Sequence, residues 1–240
     1  MSAKTLDIHS TINDFIKEDM RRAAVFERLG IDGCCGGQKT LAEACAGKGL
    51  DPRNVLGQIY EDQSAQGTPE TGIDLRDATL TELADHVEQT HHVHEKQVMP
   101  RLTDLIEKVM GRHGNAHQEL KELKTAFDAL RSDMEQHMMK EEKILFPMIR
   151  KLDADISGEF HCGPISSPIR VMLMEHDRAD GLLREIRRLT ANHTAPGDAC
   201  RSYHAMLEEL QAFEADLRLH MHKENEYLFP RTLAEAGGGQ

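Results

Sequence analysis

Basic charge is in short supply. Lys and Arg number 29 against 41 Asp and Glu, a formal net charge of −12 with His neutral. No basic cluster offsets that balance, which argues against a phosphate-binding surface, so no nucleic-acid partner is expected. Long apolar runs are missing too. None approaches the ~20 residues of a membrane span, and no membrane partner is expected. The first ten residues lack the charged-then-apolar layout of a secretory signal, so the expected location is cytoplasmic. No strand-period alternation or hairpin signal stands out, which leaves helices. The five cysteines, Cys34, Cys35, Cys45, Cys162 and Cys200, are odd in number. Without a secretory signal they argue against a disulfide framework. Tryptophan is absent and aromatics make up 4% of the chain. Twelve Met, able to fill irregular gaps between helices, supply core volume instead.

What the sequence does have is histidine, fourteen in all, and one phrase that occurs twice. The first copy is His137-Met138-Met139-Lys140-Glu141, running on into Ile144-Leu145-Phe146-Pro147. The second is His220-Met221-His222-Lys223-Glu224, running on into Tyr227-Leu228-Phe229-Pro230. Positions four apart stack on one helix face, so each phrase presents an imidazole and a carboxylate side by side. The flanking apolar residues set the direction. Leu120, Leu123, Phe127, Leu130, Met134, Ile144 and Met148 form one stripe, and Tyr203, Met206, Leu210, Phe213, Leu217 and Tyr227 or Leu228 form the other. Such a stripe faces a core. A core-facing Glu is costly unless paired or metal-bound, and two in the same phrase point to a metal centre.

The expected fold is all-α: an up-down four-helix bundle over residues 66–240, preceded by a small helical domain over residues 1–65. The polar stretch 61–72, with Gly67, Pro69 and Gly72, reads as the linker. The four long helices are expected near 78–109, 116–152, 166–192 and 197–234, with short connections that make a bundle. Pro100 is expected to kink or break the first, and Pro147 to bend the second.

The repeat extends to one more His per half. His176, on an apolar face with Ile169, Met172, Leu173 and Leu183, lies 44 positions before His220. His92 lies 45 before His137. Helical phase around Leu80, Leu83, Val87 and Val98 slightly favours His91 or His94 instead, so the residues leave that ligand open. Four His and two Glu would converge on the bundle interior. Imidazole and carboxylate donors without thiolate suit iron, zinc or manganese. A ferritin-type site would need paired Glu-x-x-His motifs, and Glu88–His91 has no counterpart in the other half. His9, His113, His117, His193, His204 and His222 read as surface residues, and His86 as surface or as support behind a ligand. The cluster Lys140-Glu141-Glu142-Lys143 reads as solvated apart from Glu141. Cys45, Cys162 and Cys200 read as ordinary thiols. Cys34-Cys35 differ. Adjacent cysteines close a disulfide only in a strained ring, and Gly33, Gly36 and Gly37 keep their loop accessible. They are candidate catalytic residues, as a soft handle for iron, a redox pair or a docking point.

These features together resemble the haemerythrin-like iron–sulfur cluster repair family of di-iron proteins, over nearly the whole chain. The Asp32–Gly37 loop is similar to the family's leading domain. Residues 137–147, Glu175-His176-Asp177 and the second phrase are similar to its bundle; His91 stands where the family often has an aromatic. The resemblance implies that His92, His137, Glu141, His176, His220 and Glu224 hold two iron ions, bridged by the two carboxylates and an oxo group. It also implies repair of clusters damaged by nitric oxide or oxidants, with damaged or apo iron–sulfur proteins as partners and the irons as a labile source. A homodimer is allowed for. The alternatives are a haemerythrin-like protein that binds or senses nitric oxide or dioxygen, and a nitric oxide reductase.

Overall fold

The computed structural model describes residues 6–18, 22, 25–26, 29–31, 37–65, 75–155 and 163–237. Cys34, Cys35 and Cys162 lie outside them. The chain divides into two compact units, 1–74 and 75–240.

In the first unit, α1 (Ile12–Glu18), α2 (Leu41–Ala46) and α3 (Pro52–Ala65) are short. Thr40 caps α2: its hydroxyl accepts from the Glu43 N–H, and the Glu43 carboxylate accepts from the Thr40 N–H. This reciprocal pair satisfies two donors the helix cannot use itself. A single antiparallel bridge joins Thr11 to Thr40. Backbone N–H groups of Ile12 and Asn13 donate to Lys39 and Gly37 carbonyls at 2.9 Å, which ties residues 37–39 to the start of α1. Ile12, Phe15, Ile16, Phe26, Leu41, Cys45, Val55 and Ile59 make the core, with Phe15 and Phe26 edge to face at 5.9 Å. Cys45 is fully buried there, and burial pushes its thiol pKa up. An inert thiol is the consequence.

The second unit is a four-helix bundle. Its first helix, 80–113, starts at a Thr79/Glu82 capping box and comprises α4 (Leu80–Val87), a wide turn π1 (Glu88–His92) and α5 (Val93–His113). The second, 119–153, comprises α6 (Glu119–Lys140), π2 (Glu141–Leu145) and α7 (Phe146–Asp153). The third is α8 (Ser166–Leu189). The fourth, 201–237, comprises α9 (Arg201–Lys223), π3 (Glu224–Leu228) and α10 (Phe229–Gly237). The first packs on the second, the second on the third, the third on the fourth, and the fourth on the first, closing a ring. Among the described residues no helix is long and apolar enough to cross a membrane.

The π turns are the departure from expectation. In each, an N–H reaches back five residues: Val93 to Glu88, Phe146 to Glu141 and Phe229 to Glu224. One extra residue per turn shifts everything beyond it around the helix axis. Ile144, placed in the core stripe by simple helical counting, is therefore 42% exposed, and Leu145 takes its place at 1%. The same turns absorb the prolines. Pro147 and Pro230 fall on the second residues of α7 and α10, where a missing N–H costs little. Pro100 does not break its helix: α5 runs through it from Val93 to His113.

Candidate metal centre

The three π turns carry functional side chains at their ends. His92 closes π1, Glu141 opens π2 and Glu224 opens π3. His137 and His220 stand one turn before the two Glu, and His176 faces them from the middle of α8. All six sequence candidates are brought together and buried, none more than 3% exposed. Their donor atoms form two groups: His92, Glu141, His220 and Glu224, and His137, Glu141, His176 and Glu224. Within each group the donors lie within 4.8 Å of one another. Both Glu belong to both groups.

The atoms that meet are all bases. Glu141 Oε2 lies 3.1 Å from His137 Nε2 and 3.3 Å from His92 Nε2. Glu224 Oε2 lies 3.1 Å from His176 Nε2 and 3.3 Å from His220 Nε2. The Nε2 atoms of His137 and His176 are 3.1 Å apart. Both oxygens of each Glu, with Nε2 of His92 and of His220, are buried without a hydrogen-bond partner. Buried polar atoms are almost always paired, so such a cluster of orphans calls for cations. Nitrogen and carboxylate oxygen fit a borderline to hard metal.

The other ring nitrogen of each His is fixed from behind. Nδ1–H of His92 donates to Glu142 Oε1 at 2.9 Å, and that of His137 to Glu175 Oε2 at 3.1 Å. His176 Nδ1–H donates to Asn225 Oδ1 and His220 Nδ1–H to Glu95 Oε1, both at 2.8 Å. With Nδ1 holding the hydrogen, each Nε2 lone pair faces the centre, the arrangement a ligand His needs. Lys96 and Lys140 in turn donate to Glu142 and Glu175. Phe146 stacks on His92 at 5.5 Å and Phe229 on His176 at 5.9 Å, which gives the Phe of each Leu-Phe-Pro its role. The residue after Glu141 and the residue after Glu224, 142 and 225, each support the His of the neighbouring helix in its own half. The repeat thus extends to this pair of supports, while Glu175 and Glu95 stand at non-equivalent positions.

Electrostatics show what the centre lacks. Burial by itself would push His137 down, but Glu141, Glu175 and Glu224 outweigh it and raise the imidazole to about 10. Burial is likewise outweighed at His220, by Glu95 and Glu224, and its pKa lies well above the ordinary value. Against burial, His220 and His176 hold Glu224 well below the usual carboxylate range. Against burial and Glu224, His137 and His92 hold Glu141 down. Protons on imidazoles thus stand in for cations beside two ionised carboxylates.

Of the three candidates for the first ligand, only His92 enters the centre. His91 is buried, donates from Nδ1 to Asp216 at 2.9 Å and accepts at Nε2 from Lys223 at 2.7 Å. His94 is exposed. The π1 turn adds the residue that misled the phase count. His222, expected at the surface, is only 4% exposed, its ring edge to face with Tyr227 at 6.0 Å. Glu142, read as solvated, supports His92. Glu95 and Asn225 gave no sequence signal as single residues. Glu95→Ala should release His220 and weaken metal binding by about 10- to 100-fold, with Glu95→Gln recovering most of it. A chelator competition measures both.

Residues 103–232 match the family described as Hemerythrin HHE cation binding domain. Residues 8–63 match one described as Domain of Unknown function (DUF542). The chain is 37% identical to the "Iron-sulfur cluster repair protein YtfE" of Citrobacter koseri, over 89% of this chain and 92% of the relative. Against the "Probable iron-sulfur cluster repair protein" of Haemophilus influenzae it is 35% identical, over 88% and 91%. A bundle that buries two groups of His and Glu able to hold a metal, behind a leading unit of the matching type, therefore belongs to the haemerythrin-like iron–sulfur cluster repair family.

Proposed function

We propose that the bundle holds two iron ions, each by two imidazoles, with Glu141 and Glu224 shared between them, and that the protein restores iron–sulfur clusters damaged by nitric oxide or oxidants by donating iron. The sharing of both carboxylates by the two donor groups carries this reading. When bound, the metal pair supplies redox-active, exchangeable iron. The chain supplies the rest. Two buried carboxylates offset the charge, four anchored Nδ1–H groups aim the rings, and Phe146 and Phe229 hold two of those rings against stacking faces. Iron(II) held by nitrogen and oxygen is held less firmly than by thiolates, so transfer to the cysteines of an apo cluster protein runs downhill.

The cysteines of the leading unit, Cys34 and Cys35, assist transfer or dock the damaged partner in this reading. The test mixes reduced, iron-loaded protein with an apo iron–sulfur protein and follows iron by size-exclusion and cluster absorbance. Transfer is expected, and Cys34→Ala/Cys35→Ala should slow repair at least about tenfold while leaving bound iron unchanged. Full repair by that variant would remove the cysteines from the mechanism. No transfer, with reversible nitric oxide binding, would favour a haemerythrin-like gas-binding protein instead.

A further inference from the structure

A second constellation stands at the far end of the bundle, 21 residues and about 30 Å along the first helix from His92. His113 ends α5, His117 lies in the connection to α6, and Asp198 and Cys200 lead into α9. A ring nitrogen from each His and a carboxylate oxygen of Asp198 lie within 4.8 Å of one another. His117 shows the same build as the ligands of the main centre. Its Nδ1–H donates to Glu119 Oε1 at 2.8 Å, and its Nε2 faces Asp198 Oδ1 at 3.0 Å. His113 Nε2 is buried without a hydrogen-bond partner. The ring of Tyr203, 5% exposed, meets both imidazoles edge to face, at 5.5 and 5.8 Å.

We propose that His113, His117 and Asp198 form a separate site for one divalent cation of the zinc or iron(II) class, with Cys200, which lies outside that group of three, closing as a fourth ligand when the ion binds. Two imidazoles, a carboxylate and a thiolate make a four-coordinate set that such ions accept. Cys200 is a free, partly accessible thiol. The Cys200 thiol adjoins the His113 side chain. An ordinary surface His–Asp pair would not need the orphan nitrogen of His113. Asp198, the most exposed of the four at 60% of its side chain, leaves a route of entry.

The experiment uses full-length protein with iron already in the bundle centre and Co(II) as probe, in a Cys34→Ser/Cys35→Ser background so that those thiols contribute nothing. One further equivalent of Co(II) should bind, with tetrahedral visible absorption and a thiolate-to-cobalt charge-transfer band. His113→Ala/His117→Ala should weaken that binding at least about 100-fold at unchanged iron content, and Cys200→Ser should abolish the charge-transfer band. If the alanine pair disturbs the iron content, His113→Gln/His117→Gln replaces it. Absence of a further equivalent, or its survival in the double-His variants, overturns the site. A charge-transfer band that persists in Cys200→Ser overturns the assignment of the fourth ligand.

Discussion

Glu141→Ala should empty both metal positions at once, while His176→Ala or His92→Ala should empty one. Glu141 Oε2 approaches His92 and His137, which belong to different donor groups, and Glu141 counts in both groups. His92 and His176 count in one each. Losing a shared carboxylate removes a ligand and half of the compensating charge from each position. The expected loss exceeds about 100-fold in affinity for both ions, against one ion lost and one retained for the His variants. Glu224→Ala should behave as Glu141→Ala does. Metal per chain, measured by elemental analysis after gel filtration, separates the outcomes. Retention of one ion by both Glu variants would mean that each carboxylate serves a single ion and that the bridged pair is wrong. Without metal, Glu141→Ala should also destabilise the bundle by about 3–5 kcal/mol, since a buried imidazolium loses its counter-charge.

The pH dependence of stability should change sign when metal is added. In the metal-free protein His137 stands at about 10 against an ordinary 6.5. A group raised by folding contributes stability that is complete below its unfolded value and is lost as pH climbs toward the folded one. The depressed Glu224 acts oppositely: its contribution is present above the ordinary 4.5 and disappears as pH falls further. The metal-free protein should therefore be most stable between those two ordinary values. From about pH 6 to about pH 10 it should lose up to about 5 kcal/mol, roughly 10 °C or more in Tm. Metal must displace the protons on His137 and His220, so binding releases protons and tightens as pH rises. The loaded protein should gain stability over the lower part of the same interval. Calorimetric melts with and without metal, together with proton release measured in two buffers, check both slopes. Parallel slopes would show that protons do not occupy the places of the cations.

The legible part of the site came from repetition. Two His-x-x-x-Glu phrases on apolar stripes placed His137, Glu141, His220 and Glu224 in the interior, because a three-and-four period leaves only one face for them. The spacing of 44 and 45 residues added His176 and His92. Helical phase failed where the helix itself changes. It pointed to His91 or His94 and placed Ile144 in the core, since a count at 3.6 residues per turn has no place for the extra residue of π1 or π2. Nothing local announces those turns. They stand where the functional side chains converge, held by contacts among helices far apart in the chain.

By itself the sequence determined the helical class, the four-part bundle, the inward faces of its helices and five of the six residues that meet at its centre. All of these follow from periodicity and from the cost of burying charge. Only the tertiary structure decided which imidazole of the His91-His92-Val93-His94 stretch turns inward. It alone supplied Glu142, Glu175, Asn225 and Glu95 as anchors and gathered His113, His117 and Asp198 at the other end. Those pairings join residues tens of positions apart, and the hydrogen bond that settles each is set by how two helices pack, which no spacing along one chain encodes.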